Sequence, residues 1–478
     1  MVEVMGKGIF EQLKPIFEPE TVAVIGASGN PAKFGGRAFL FPSVAGYRGT
    51  IYPVNPNREE VAGVKAYPGI LDIPDDIDMV VIAVPASLVP QTMEECVRKG
   101  VKGAVIITAG FAETGEEGKK LQDEVVRIAH DGGIRFVGPN CMGMASSSVR
   151  LNLCFDTPPL PGSISFISQS GTLGVYLFQA AMNKGYGFSK FISSGNQASI
   201  DMTDYLEYLV EDEDTSVIVL YMESSVGAKK FFETAREVVK RKPIVVYKGG
   251  RTTAGSRATL SHTASLAGSD EIFDVACRQA GIIRCAEAFH IFELAEALAH
   301  QPLPRGKRIA IIGSGGYCVC AADACASLGL EIPELDEATK RSVKGILAPH
   351  APIPTNPIDT AATPDPMVMP KILDIVAKLD YIDGMIAIGP LNFRTQGVKE
   401  IKSVIEQVEG YIDIPKKYNK PLIITGAGNR GSTIAMDLLT KANIPHYVTP
   451  EDSARAMYGL AEYGEIIRRC REGVSPPH

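Results

Sequence analysis

Short apolar runs alternate along this chain with amphipathic stretches. TVAVIGASG (21–29), TIYPVNP (50–56), DMVVIAVPA (78–86) and GAVIITAGF (103–111) are rich in Val and Ile and run out into Gly, Pro or Asn. VPQTMEECVRKG (89–100) separates two of them with helical spacing of its apolar positions. Continuous apolar strands divided by amphipathic helices predict βαβ units and a parallel sheet covered on both faces. IRFVGPNCMG (134–143) closes this set, so a first domain ends near residue 145.

A second set follows with SISFISQSG (163–171), FSKFISSGN (188–196), SVIVLYMES (216–224) and PIVVYKGG (243–250), with helical stretches YLEYLVED and AKKFFETAREVVKRK between them. A helix over about 269–279 and HIFELAEALAH (290–300) end this domain, and QPLPRGK (301–307) reads as a linker. The pattern restarts with RIAIIGSGG (308–316), MIAIGP (385–390) and PLIITGAG (421–428). The prediction is an α/β protein of three consecutive domains with parallel sheets, at 1–145, 146–300 and 305–478, without a fixed-period repeat.

Composition narrows the function classes. A net charge of -7 argues against a general binder of nucleic acid or of membrane surfaces, both of which call for basic patches. The nine cysteines form no CxxC pairs, so reduced cytoplasmic thiols are expected and no metal-ligand set. No stretch approaches 18 uninterrupted apolar residues, and the first residues lack a signal-peptide pattern.

Four places carry candidate chemistry. In VAVIGASGNPAKFGG the turn has Gly26 and Gly29 but then Pro31, which is not the dinucleotide spacing, and the second strand ends in Asn55 and Pro56 where a ribose-binding acid is expected. An NAD site is therefore disfavoured. A different phosphate-bearing ligand, with Lys33 and Arg58 supplying charge, or an unoccupied turn, remains. In SQSGTLG, Ser170, Gly171 and Thr172 fall at a predicted helix start, which suits a phosphate or an ordinary N-cap. Glu223 ends an apolar strand, either as a solvated carboxylate or as the partner of a histidine. His262, in LSHTASLAG, sits among small and hydroxyl-bearing neighbours that predict an accessible loop, with an ordinary loop histidine as the alternative.

In their order along the chain, VIGASGNP, YPVNP, VPA, ITAGF, GPNCMG, SQSGTLG, YMES and GGRTTAGSRATLSHTASLAG resemble the α subunits of NDP-forming acyl-CoA synthetases, relatives of succinyl-CoA synthetase. The likeness covers about residues 15–300, and NPIDTAATPDP (356–366) resembles the extra C-terminal domain of the ADP-forming acetate type. It implies a Rossmann-like domain for coenzyme A followed by two flavodoxin-like domains. Coenzyme A contacts would be Gly26, Ala27, Ser28, Gly29, Lys33, Asn55, Pro56, Arg58, Val84, Pro85, Ala86, Thr108, Ala109, Gly110 and Asn140. Ser168, Ser170, Gly171, Thr172, Gly195 and Asn196 would hold phosphate, His262 would carry a phosphoryl group, and Glu223 would orient it.

The reaction so implied converts acyl-CoA, phosphate and ADP reversibly to carboxylate, CoA and ATP, through an acyl phosphate and a phosphohistidine. Succinate-type members have a glutamate at the place of Ala109 and Gly-His-Ala at Ser261, His262 and Thr263, so the departures here favour a monocarboxylate such as acetate. Nothing in the chain resembles an ATP-grasp domain. ADP/ATP and Mg²⁺ would then be bound mainly by an ATP-grasp β subunit, in an α₂β₂ heterotetramer. A CoA-binding regulatory protein without turnover and an NAD-dependent oxidoreductase are the competing readings.

Overall fold

The computed structural model describes residues 7–224, 227–263, 269–361, 363, 365, 367–389, 398–426 and 434–472. Residues up to 289, apart from 183–185, gather into one compact unit and residues 290–476 into another.

The first unit holds two large sheets and a two-stranded antiparallel ribbon, Glu60–Val61 with Val64–Lys65. One has five parallel strands in the order Thr50–Val54, Thr21–Ile25, Met79–Ile82, Gly103–Ile106, Arg135–Val137. Met79–Ile82 and Gly103–Ile106 are buried at every position, as strands covered on both faces must be. The chain leaves Thr21–Ile25 to one side first and then crosses to the other. The turns after Ile25 and Ile82 therefore open at a switch point, where such sheets bind ligands, and the turn after Ile106 follows the adjoining strand. The helices Phe34–Ala45, Val89–Lys99 and Glu116–Asp131 follow those turns.

The other sheet runs Ile283–Arg284, Ile244–Lys248, Val217–Met222, Pro161–Ser168, Phe188–Ser193, Met144–Ser146, Leu151–Asn152. Its first five strands are parallel, and the last two add an antiparallel edge. Phe178 packs on Phe155, Phe188 and Phe191 with ring centroids 4.5, 4.3 and 4.9 Å away. The helix Lys7–Phe17 sets Phe17 4.6 Å from the Tyr208 ring of the helix Met202–Glu211. Glu18, Asp212 and Asp214 bring carboxylate oxygens together near that point, but the buried Lys190 ammonium lies 2.9 Å from Asp212 and 3.4 Å from Glu18.

The second unit is built on a parallel sheet ordered Ile358–Asp359, Ile309–Gly313, Gly384–Ile388, Leu422–Thr425, His446–Tyr447. The helix Ile291–His300, which the sequence groups with the second domain, belongs here instead: Leu294 packs against Gly459 of the long helix Pro450–Glu472. Gln301, read as linker, is buried and hydrogen bonded to Leu422 N–H and the Asn443 carbonyl. A buried side chain bonded on both ends is structure, not spacer. Among the described residues, no helix is long and apolar enough to cross a membrane.

Candidate active site

The glycine turn after Ile25 is tightly specified. Gly26, at φ +88°, and Ala27 donate to the Val54 carbonyl, and Asn55 Nδ2 donates to Ala27 O at 2.9 Å, which ties this turn to the end of the neighbouring strand. Ser28 Oγ accepts from Asn30 N–H, and Asn30 Oδ1 from Ala32 N–H. The helix begins at Phe34, with Lys33 as its extended N-cap. A Cβ on Gly36 would lie 1.8 Å from Asn30 O, so the helix seats on the turn only because that residue is glycine. Gly29, Lys33, Pro56 and Arg58 are exposed beside it.

A cleft of about 680 Å³ opens at the carboxyl ends of both sheets of the first unit. From the first sheet it is lined by Val84, Thr108, Ala109 and Asn140, and from the second by Ser170, Gly171, Thr172, Gly195 and Asn196. Four of the residues that the sequence assigns to coenzyme A thus line the same cavity as five of the six assigned to phosphate, Ser168 being the exception. Gly26, Ala27, Ser28, Asn55, Pro85, Ala86 and Gly110 lie outside its lining, on the turns that border it, although Phe34 and Ala83 next to them line it.

Ser168 ends its strand fully buried, with Oγ donating to the Ser170 carbonyl at 2.7 Å, and the helix Gly171–Asn183 starts at once. Ser170 Oγ accepts from Leu173 N–H, a modest cap at 3.4 Å. A helix start aimed into a cleft offers N–H groups and a favourable dipole to an anion. Gly195, at φ +57°, lies so close to Pro139 that a Cβ would meet its carbonyl oxygen at 2.3 Å.

Asn196, which the sequence assigns to phosphate, lines the cleft with its side-chain amide already engaged. Its Nδ2 donates to Glu113 Oε2 at 2.6 Å and Gln122 Oε1 at 2.9 Å, and its Oδ1 accepts from Asn140 Nδ2 at 3.2 Å. The carboxamide is spent on joining the two walls. Glu113, which the sequence reading passed over, also accepts from the N–H groups of Gly110 at 2.6 Å and Phe111 at 3.1 Å. Burial alone would raise its pKa, but these bonds win and hold the carboxyl below its usual value. Cys141 lines the cleft too. Its Sγ donates to Ile106 O at 3.3 Å, and burial pushes the thiol up to about 12.

Glu223 is buried just past the strand Val217–Met222, and Tyr221 Oη donates to its Oε1 at 3.1 Å. Burial, then the adjacent carboxylate, raise the Tyr221 phenol well above its ordinary value, so it stays a donor. Ser224, the next residue, lines the cleft. The expected loop around His262 is corrected: His262 falls in the helix Thr253–Thr263. Ala254, Arg257, Ala258 and Leu260 are good helix formers, and Thr252 Oγ1 caps the start by accepting from Gly255 N–H. The His262 side chain and residues 264–268 lie outside the described residues.

Comparison with known proteins agrees with this architecture. A CoA binding domain family matches residues 20–147, and a succinyl-CoA ligase like flavodoxin domain family matches residues 161–298. The chain is 40% identical over 455 residues to the acetate–CoA ligase (ADP-forming) II subunit alpha of Pyrococcus furiosus, covering 94% of this chain and 98% of that one. It is 38% identical to the acetate–CoA ligase (ADP-forming) of Methanocaldococcus jannaschii, where 95% of this chain spans only 63% of the longer relative. The solved structure of the dinucleotide forming acetyl-coenzyme A synthetase 1 of Ca. Korarchaeum cryptofilum, in complex with phosphate and ADP, matches with a TM-score of 0.87 at 33% identity, over 97% of this chain and 99% of that one. Full-length identity at this level, on a CoA-binding domain joined to a succinyl-CoA-ligase-like flavodoxin domain, places the chain in the α-subunit family of the ADP-forming acetate–CoA ligases.

Proposed function

We propose that this chain is the α subunit of an ADP-forming acyl-CoA synthetase, with acetyl-CoA as the favoured thioester and a first domain division near residue 145. A phosphate oxygen attacks the thioester carbonyl, the C–S bond breaks and CoA leaves as its thiolate. An imidazole nitrogen of His262 then attacks phosphorus in the acyl phosphate; the bond to the acyl oxygen breaks and the carboxylate leaves. The β-phosphate of ADP takes the phosphoryl group from the histidine, which regenerates the ring.

The observation that carries this reading is the shared cleft, in which strand-end backbone of the CoA-binding domain faces the helix start at Ser170–Thr172. A thioester held by the first wall lies within reach of a phosphate held by the second, and such positioning together with fixed dipoles supplies much of the rate. Glu223 fixes one imidazole tautomer and stabilises the ring once it is loaded. ADP and Mg²⁺ are assigned to an ATP-grasp β subunit in an α₂β₂ assembly, located in the cytoplasm where reduced thiols persist.

The test is direct. The purified chain, given acetyl-CoA and labelled phosphate, should acquire an acid-labile, base-stable label that His262→Ala abolishes. ATP should form from ADP and Mg²⁺ only when the β subunit is added. An unlabelled chain that still binds CoA would make it a binding protein without turnover, and ATP synthesis by the chain alone would put the nucleotide site here.

A further inference from the structure

Gln169 stands between the two groups that the proposed reaction needs together. It follows Ser168, precedes the Ser170–Thr172 turn and lines the cleft. Ser168 and Tyr221 are the last residues that their two strands pair with each other, because the helix Gly171–Asn183 then turns the chain away. Beyond that point the backbone of Glu223 and Ser224 has no strand beside it on this edge. The Gln169 side chain takes the place of one.

Its Oε1 accepts from the N–H of Glu223 and from that of Ser224 at 3.0 Å, its Nε2 donates to the Ser224 carbonyl at 2.8 Å, and its own N–H donates to Tyr221 O at 3.1 Å. Two donors face one end of the side chain and an acceptor faces the other. Only a primary amide satisfies both ends: a carboxylate would set oxygen against the Ser224 carbonyl, and Lys or Arg would have no acceptor for the two N–H groups. The same partners determine which way the amide points. With Tyr221 Oη on the Glu223 carboxylate, Glu223 is held through both its backbone and its side chain.

We propose that Gln169 is a positioning residue that locks Glu223 to the Ser170–Thr172 turn, so that the carboxylate orienting the histidine and the donors holding phosphate keep a fixed separation. This rests on the reading of Glu223 as the partner of His262. A misplacement of about 1 Å is enough to cost a reaction of this kind on the order of 10²-fold.

The experiment is a double-mutant cycle on the full chain with its β subunit, following phosphohistidine formation from acetyl-CoA and labelled phosphate in a single turnover. Gln169→Met, similar in length without the amide, is expected to slow that step roughly 10- to 100-fold while KM for the CoA thioester stays within about twofold. Combined with Glu223→Gln it should add less than about threefold, since residues acting as a unit are not additive. Gln169→Asn, polar but one methylene too short to reach, should repeat the result if the Met variant folds poorly. A full additional factor in the double variant, or a Gln169→Met chain at the wild-type rate, overturns the positioning role while Glu223→Gln remains slow. A Glu223→Gln chain at the wild-type rate removes the basis of both readings.

Discussion

At the scale of single residues, the junction between the two walls of the cleft depends on Glu113, whose carboxylate accepts from Gly110, Phe111 and Asn196. Its folded pKa lies below the usual 4.5, so its contribution to stability is complete above that value and is lost as pH falls through the lower folded one. Glu113→Ala leaves two backbone N–H groups and a carboxamide short of a partner. It should cost about 1–2 kcal/mol in urea unfolding at pH 7, toward the low end for a half-exposed site, and the gap to wild type should narrow in acid below the ordinary carboxylate range. A gap independent of pH would mean that the charge of Glu113 is not what holds the junction. Residues such as Thr108, Ser170 and Gly171 are legible in the sequence because turn chemistry and the ends of apolar runs mark them. Glu113 and Gln169 are not, since the partners that give them their joining role, Asn196 for one and Ser224 for the other, lie 83 and 55 residues away and no local pattern records such a pairing.

At the scale of elements, the parallel strands of four to eight residues coincide with the apolar runs, because full burial on both faces leaves a continuous hydrophobic signature. Two- and three-residue strands such as Met144–Ser146, Leu151–Asn152, Ile283–Arg284 and His446–Tyr447 carry no period and are found only through their neighbours. The His262 segment misled for another reason. Small and hydroxyl-bearing residues read as a loop, but a capped start and alanines suffice for the helix Thr253–Thr263. The first glycine turn gives a sharp test of how elements seat the site. Gly36→Ala places a methyl against the Asn30 carbonyl oxygen and should destabilise by about 1–3 kcal/mol, with CoA affinity falling in calorimetric titration. Gly8→Ala, in a helix position with open space around it, should be neutral or stabilise by up to about 1 kcal/mol. Equal effects from the two substitutions would mean that the close approach at Gly36 is not restrictive.

At the scale of the whole molecule, each compact unit has its own apolar core, one built around residues such as Val80, Ile82 and Phe136 and the other around Ile312, Met385 and Leu422. The cleft belongs entirely to the first unit. Scanning calorimetry should therefore resolve two transitions, and CoA at about a hundred times its dissociation constant should stabilise only one of them, by about 2.7 kcal/mol. A ligand shift shared equally by both transitions would show that the second unit contributes to CoA binding.

Cys141 has a further consequence once a thioester occupies the cleft. An ionised cysteine beside an activated acyl group would attack it, and the chain would acylate itself in place of passing the acyl group to phosphate. Burial keeps that sulfur protonated, with its pKa pushed up to about 12, while its Sγ donates to the Ile106 carbonyl. The cleft thus tolerates a nucleophile in its wall by denying it charge, and intact protein mass after incubation with acetyl-CoA alone should carry no added acetyl group on Cys141.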